Sequence, residues 1–198
     1  MPHQTFKLHK PFGMLSQLIS NDVHQSRKKR FLSELYHFPE GTMAVGRLDE
    51  KSEGLLLLTT DGKLSNTINQ SGIEKEYWAQ LDGLITDQAI EQLTKGVEIG
   101  IEGIKYNTRP CKVFRLNDEP DLPPAHITLR IGRHRPASWI SVILTEGKYR
   151  QVRKMTASVG FPTLRLVRVR IGDIHLNKLA PGSVEKISDK PEQDLKNT

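Results

Sequence analysis

The chain has 198 residues, of which 36% are hydrophobic, enough to bury a core as one large domain or two small lobes. No apolar run approaches the roughly 18 residues that a membrane span requires, and the first residues lack the apolar segment of a secretory signal. A single cysteine, Cys111, excludes an internal disulfide framework and a cysteine-based zinc site. We therefore expect a soluble, cytoplasmic protein.

The net charge of +6 is concentrated in the second half of the chain. Between Leu122 and Gly172 the only acidic residue is Glu146. The basic residues of that stretch are Arg130, Arg133, Arg135, Lys148, Arg150, Arg153, Lys154, Arg165, Arg168 and Arg170. Arginine suits bidentate phosphate contact and stacking on bases, so this distribution favours a polyanionic partner such as RNA. A solvated basic face would give the same pattern.

The first predicted helix covers residues 27–36 and is capped by Ser26. Its first turn would contain the basic run at residues 27–30, where the helix dipole disfavours positive charge. A phosphate partner would offset that cost, and a mobile basic loop explains the run equally well. Further along, the four-leucine run at residues 55–58 predicts a buried strand that enters a turn at Asp61-Gly62.

Short helices and strands are predicted to follow in the middle of the chain. They are a helix over residues 63–69, a strand over 76–83, a helix from the Thr86 cap to Lys95, and short strands over 97–115. The acidic, proline-rich connection at residues 117–124 is expected to be the boundary between two lobes.

The last predicted elements are two paired strands, a helix and a final strand. The strands cover residues 125–131 and 139–145, the helix 150–159, and the final strand 164–171. The apolar phase of the final strand changes at Leu166-Val167, which predicts a bulge or sharp twist there. The polar tail over residues 188–198 is expected to be disordered.

Three motifs carry residues suited to chemistry. In the first, Asp49 precedes a Ser-Glu-Gly turn and the leucine strand; such an acid is a catalytic candidate, although Asp often only caps or turns the chain. In the second, Tyr77 lies in a predicted strand, where it offers a flat apolar face and a phenol, or simply fills the core. The third motif, at residues 144–155, runs from a strand through a Gly turn into a helix.

These motifs, with the opening Lys10-Pro11-Phe12-Gly13, resemble those of the pseudouridine synthases that modify ribosomal RNA, in the branch named after the small-subunit enzyme. The resemblance extends over about Phe6 to Leu176. It implies an α+β fold with a mixed, mainly antiparallel sheet and flanking helices, forming one catalytic domain over residues 1–187 with two lobes around a basic cleft. Many relatives carry a small RNA-binding domain of the S4 type before the Lys-Pro-x-Gly motif; only nine residues precede Lys10, so we expect that domain to be absent.

The resemblance also implies roles for individual residues. Asp49 would be the essential catalytic residue and Arg153 its ion-pair partner, since a nearby guanidinium keeps a carboxylate ionised and oriented. Tyr77 would stack on the target uracil and can act in proton transfer. A phosphate-contact role for Arg153 stays open. The expected substrate-binding residues are Arg47, Lys75, Leu144 (packed below the active site), Lys148, Arg150, Arg165 and Arg168. The last four are expected on the exposed, RNA-facing rim of the cleft.

The implied reaction breaks the bond between ribose and uracil N1, rotates the base and rejoins it through C5. It needs no cofactor, and the sequence has no dinucleotide fingerprint, phosphate loop or histidine pair at metal-ligand spacing. Residues 136–139 and 150–166 look most like a member that acts on large-subunit ribosomal RNA, so we expect that RNA as partner, no membrane, and a monomer. Three alternatives stay open: another uridine or the small-subunit RNA, a non-catalytic RNA-binding module, and a glycoside-type hydrolase using Asp49.

Overall fold

The computed structural model describes residues 2–70, 72–133 and 135–187. The chain divides into two compact units, the first formed by Met1–Ile73 and Val167–Thr198 and the second by Glu74–Leu166. The predicted disordered tail at residues 188–198 lies outside the described residues. Among the residues that the structure describes, none of the helices combines the length and apolar character needed to cross a membrane.

The first unit is built on a mixed, mainly antiparallel sheet. Its strands are β1 (Thr5–Lys10), β2 (Met43–Val45), β3 (Glu53–Thr59), the C-terminal part of β9 (Thr163–Ile171), β10 (Ile174–His175) and β11 (Val184–Ile187). Strand β1 pairs antiparallel with both β3 and β11, and β3 also pairs antiparallel with β2. Strand β3 also pairs parallel with β9, with Glu53 opposite Val167. Every residue of β3 is buried, which confirms the predicted leucine strand.

Among the described residues of the first unit, two helices and a short 3₁₀ turn accompany the sheet. Helix α1 (Val23–Lys28) is capped by Asp22, whose Oδ1 accepts the N–H groups of His24 and Gln25. The predicted helix over residues 27–36 is therefore wrong, because the chain turns extended at Lys29 and then forms only a 3₁₀ turn at Leu32–Glu34. Helix α2 (Gly62–Gln70) confirms the helix predicted over residues 63–69 and packs on β2.

The described part of the second unit contains three antiparallel strands, the N-terminal part of β9, a hairpin and two helices. The strands are β4 (Lys75–Asp82), β7 (Lys112–Leu116) and β8 (Ala137–Leu144), and the hairpin is β5 (Glu98–Ile101) with β6 (Ile104–Asn107). Strand β8 pairs with both β4 and β7. Helix α3 (Asp87–Lys95) packs on β7 and helix α4 (Gln151–Ser158) packs on β5. Thr86 caps α3, as predicted.

The segment between β7 and β8 differs from the prediction in two ways. Residues 125–131 form turns rather than a strand, and Ile127 is 94% exposed, because the neighbours of β8 are β4 and β7 instead. The connection at residues 117–124 lies inside the second unit, since it joins two paired strands of one sheet; the units divide near residues 73 and 166. The α+β fold with a mixed, mainly antiparallel sheet is confirmed.

Candidate active site

Asp49 lies half-buried on the loop between β2 and β3, and the backbone of this loop is fixed on both sides of it. The buried hydroxyl of Ser16 accepts the Leu48 N–H at 2.9 Å and donates to the Leu48 carbonyl at 2.8 Å. The Asp49 carbonyl accepts the Ser52 N–H at 2.9 Å, which closes a turn at the start of β3. Because hydrogen bonds constrain the backbone before and after Asp49, the backbone that carries its carboxylate is fixed before any substrate binds.

Lys10 explains the opening Lys-Pro-x-Gly motif. Its side chain is fully buried, and the ammonium donates to the carbonyls of Met14 at 2.6 Å, Pro11 at 2.9 Å and Glu50 at 3.3 Å. The Gly13 N–H also bonds the Glu50 carbonyl, at 2.8 Å. Burial lowers the pKa of Lys10 to about 7, while the carboxylates of Glu53, Glu50 and Asp49 act in the opposite direction. Lys10 therefore ties the opening motif to the Asp49 loop.

Gly54 explains the Ser-Glu-Gly part of the first motif. Its φ is +102°, and a Cβ built there would lie 2.3 Å from the Arg168 carbonyl oxygen and 2.7 Å from the Arg168 nitrogen. A side chain at residue 54 would thus prevent the parallel contact of β3 with β9. The absence of a side chain lets the two backbones approach directly after the Asp49 loop.

Tyr77, Lys75 and Leu144 meet on the paired strands β4 and β8. Tyr77 is opposite Val142 and Lys75 is opposite Leu144 in the register of the pair. Tyr77 is 9% exposed and Leu144 is 2% exposed, so both are buried side chains of the second unit, whereas Lys75 is half-buried. The prediction that Tyr77 lies in a strand is confirmed, and its stacking role stays a prediction.

The third motif forms a loop that Glu146 holds together. The Glu146 carboxylate accepts hydrogen bonds from the Tyr106 hydroxyl, the Arg109 N–H at 2.9 Å and the Gln151 amide at 2.6 Å. The amide oxygen of Gln151 in turn accepts the Lys148 N–H at 2.9 Å. Burial alone would raise the pKa of Glu146, but the three hydrogen bonds outweigh it and hold that pKa below its ordinary value.

Helix α4 begins directly after this loop and carries Arg153 in its first turn. Arg150, at the helix N-terminus, has a left-handed φ of +53°. The half-buried Arg153 donates from Nη1 to the Thr163 carbonyl at 3.2 Å. Asp49 belongs to the first unit and Arg153 to the second. The ion pair between them stays a prediction.

Two of the residues predicted on an RNA-facing rim are buried. Arg165 is 5% exposed and donates to the Pro123 carbonyl at 2.9 Å; Arg168 is 2% exposed and its Nε donates to the Leu55 carbonyl at 2.7 Å. Both guanidinium groups therefore hold backbone carbonyls, and their placement on an exposed rim is corrected. Arg47 and Lys148 are exposed and Arg150 is half-buried, which is compatible with contact to RNA.

The sequence alone did not predict the structural roles of three residues: the hydrogen bonds of Ser16 to Leu48, those of Lys10 to three carbonyls, and those that Glu146 of the third motif accepts. Nothing near Ser16 in the sequence indicates its contact with Leu48, because 32 positions separate them. Glu146 did carry a signal, since it is the one acid in a basic stretch of about fifty residues. Among the described residues, no group of three or more His, Cys, Asp or Glu side chains could hold a metal ion.

Comparison with known proteins identifies the family. A family model described as RNA pseudouridylate synthase matches residues 4–158, which is more than half of the chain and includes all three motifs. The chain belongs to the RNA pseudouridylate synthase family. The members of this family are isomerases, and the match confirms the resemblance that the sequence motifs indicated.

Individual relatives agree with this membership. The ribosomal large subunit pseudouridine synthase E of Xanthomonas axonopodis pv. citri (strain 306) is 44% identical over 176 residues, 88% of each chain. The synthase E of Vibrio parahaemolyticus serotype O3:K6 (strain RIMD 2210633) is 41% identical over 180 residues, covering 90% of this chain and 71% of that protein. A crystal structure of a pseudouridylate synthase superposes with a TM-score of 0.77 at 26% identity, covering 98% of this chain and 74% of the other.

Proposed function

We propose that the protein converts a specific uridine of large-subunit ribosomal RNA to pseudouridine. The observation that carries the proposal is the similarity over 88% of both chains to a large-subunit pseudouridine synthase, within a family match over residues 4–158. The exposed Arg47 and Lys148 supply positive charge for the RNA backbone. We place the reaction in the cytoplasm and assign it to a monomer.

In the proposed mechanism, Asp49 acts as an ionised carboxylate paired with Arg153. It either attacks the nucleoside or removes a ribose proton, and the bond between ribose C1′ and uracil N1 breaks. The uracil rotates, and C5 bonds to C1′. The bond that Asp49 formed to the nucleoside breaks again or, in the proton-removal route, the proton returns to the ribose. The proton then leaves C5, and N1 gains a proton. Atoms and electrons balance without a cofactor, so none is included.

Tyr77 is proposed to stack on the uracil during this rotation, with Lys75 and Leu144 beside it on the paired strands. A uridine inside a duplex cannot reach a half-buried carboxylate, so the target must be unpaired or flipped out of its helix. The hydrogen bonds at Leu48 and Ser52 favour this chemistry because they fix the Asp49 loop in advance.

The proposal is tested by mapping the product. Transcripts of the large- and small-subunit ribosomal RNA are incubated separately with the protein, and pseudouridine is located by carbodiimide modification and primer extension. We expect one strong stop in the large-subunit RNA that is absent without protein. A stop only in the small-subunit RNA would show that this RNA, and not the large-subunit RNA, is the substrate. No stop in either transcript or in ribosomal particles would contradict the proposed function.

A further inference from the structure

The loop between Glu146 and Gln151 presents an exposed tyrosine on a fixed backbone. Tyr149 is 65% exposed, although the loop around it is held at both ends. At one end Glu146 accepts the three hydrogen bonds described above; at the other, the Gln151 side chain joins Glu146 to the Lys148 N–H. A large aromatic side chain is therefore held in solvent by a loop that is already ordered.

Positive charges surround this ring. The Lys154 ammonium lies over the Tyr149 ring, 5.1 Å from its centroid, and is held there by a hydrogen bond of 2.6 Å to the Gly100 carbonyl. Lys148 precedes the tyrosine and lies over the Tyr106 ring at 4.9 Å, and Arg150 follows it. The Glu146 side chain is only 8% exposed and its charge is shared by three donors, so it offsets little of the positive charge in solvent.

Two other exposed aromatic residues have different surroundings. Tyr36 packs against Phe6 and Phe38 at centroid distances of 5.7 and 5.1 Å, so it belongs to an aromatic cluster of the first unit. Phe114 is 54% exposed on β7, between basic residues Lys112 and Arg115 that form ion pairs with Glu74 and Asp87. Tyr149 differs from both because a cation covers its ring within a basic loop.

We propose that Tyr149 is a stacking platform for an unpaired nucleobase of the RNA substrate. The base would stack on the ring, while Lys148 and Arg150 contact the flanking phosphates. A fixed loop lowers the entropy lost on binding, because its backbone does not have to be ordered first. The inference rests on the proposed function, since it takes the ligand to be a single-stranded segment of ribosomal RNA.

The first test is equilibrium binding of a short RNA that contains the uridine mapped above, measured at several salt concentrations. Tyr149→Ala should weaken binding about tenfold, and Tyr149→Phe should stay within about twofold of wild type, because stacking needs the ring but not the hydroxyl. Phe114→Ala is the matched control and should bind as wild type does. Tyr149→Ala should keep the wild-type salt slope, whereas Lys148→Ala should flatten it by about one charge.

The second test identifies the stacked base. Abasic nucleotides are placed one at a time around the target, and each RNA is measured with wild type and with Tyr149→Ala. One abasic position should weaken binding to wild type but not to the variant, since the partner of Tyr149 is already missing. Equal abasic penalties for both proteins at every position, or equal losses with Tyr149→Phe and Tyr149→Ala, would overturn the inference.

The two proposals fail in different ways. If wild type makes no pseudouridine in any ribosomal RNA or particle, the proposed function is wrong before Tyr149 is examined. If wild type modifies its RNA and Tyr149→Ala binds that RNA within twofold of wild type, the stacking inference alone is wrong.

Discussion

Replacing Gly54 by alanine tests the origin of the Ser-Glu-Gly motif. The added methyl group would lie 2.3 Å from the Arg168 carbonyl oxygen, whereas carbon and oxygen normally approach to about 3.3 Å. Strands β3 and β9 would therefore have to separate by about 1 Å at this point. Such a shift stretches the 2.7 Å hydrogen bond from Arg168 Nε to the Leu55 carbonyl beyond hydrogen-bonding distance.

The expected cost follows from these two effects. An L-residue at the φ of +102° costs about 1–2 kcal/mol, and loss of a charged hydrogen bond to a buried carbonyl costs about 1.5–3 kcal/mol. We predict that Gly54→Ala lowers the free energy of unfolding by about 2.5–5 kcal/mol. That is a large part of the 5–15 kcal/mol typical of a whole protein.

The measurement is urea unfolding followed by far-ultraviolet circular dichroism. Gly41→Ala is the matched control, because Gly41 lies in the same unit at a φ of +78° with no atom within 4 Å of the added methyl group. The control should lose only the backbone cost of about 1–2 kcal/mol. If Gly54→Ala is destabilised no more than Gly41→Ala, the close approach of β3 and β9 does not explain the glycine.

Three further predictions concern buried charges. Burial lowers the pKa of Lys10 from 10.5 to about 7, so the unfolded state binds more protons than the folded state between pH 7 and 10.5. From pH 7 to 9, the free energy of unfolding of wild type should therefore rise by about 2 kcal/mol relative to that of Lys10→Met. Parallel pH profiles for the two proteins would contradict this. Arg168→Met should lower the free energy of unfolding by about 2 kcal/mol, because the hydrogen bond to the Leu55 carbonyl is lost. It should not flatten the salt dependence of RNA binding; a flatter slope would show that Arg168 contacts the RNA. Glu146→Gln should raise KM for RNA about tenfold and change kcat less, because the loop loses the carboxylate that accepts three hydrogen bonds. A loss confined to kcat would contradict a positioning role for Glu146.

The leucine strand and the Thr86 cap were predictable because their determinants are local. A run of four leucines bounded by turn residues is typical of a buried strand. A threonine directly before a helix predicts a capping hydrogen bond, which Thr86 accepts from the Ala89 N–H. The helix predicted over residues 27–36 failed on the same local evidence. Asp22 caps four residues earlier than Ser26, and the pairing of Leu15 with Arg30 then competes with continued helix.

The roles of the basic residues could not be predicted from local sequence. Arg165 and Arg168 look like surface positions on a half-exposed strand, yet residues of both phases over Arg165–Val169 are buried. Their partners, the carbonyls of Pro123 and Leu55, lie 42 and 113 positions away in the chain. The same burial on both faces accompanies the change of apolar phase at Leu166-Val167.

The candidate site shows the same division. Asp49 and Tyr77 were predicted from motifs. Asp49 lies on a loop that hydrogen bonds hold at Leu48, and Tyr77 lies on the buried strand β4. The supporting contacts of Ser16 and Lys10 come from β1 and the segment after it, far from Asp49 in sequence. Such contacts become visible only when the chain is folded.

The most direct test of the central claim is release of tritium from C5-labelled uridine in large-subunit ribosomal RNA. Wild type, Asp49→Asn and Glu50→Gln are compared, the last because it removes a neighbouring carboxylate from the same loop. We predict release by wild type and Glu50→Gln and none by Asp49→Asn, which should still fold and bind RNA. Tritium release by Asp49→Asn at a substantial fraction of the wild-type rate would contradict the assignment of Asp49 as the catalytic residue.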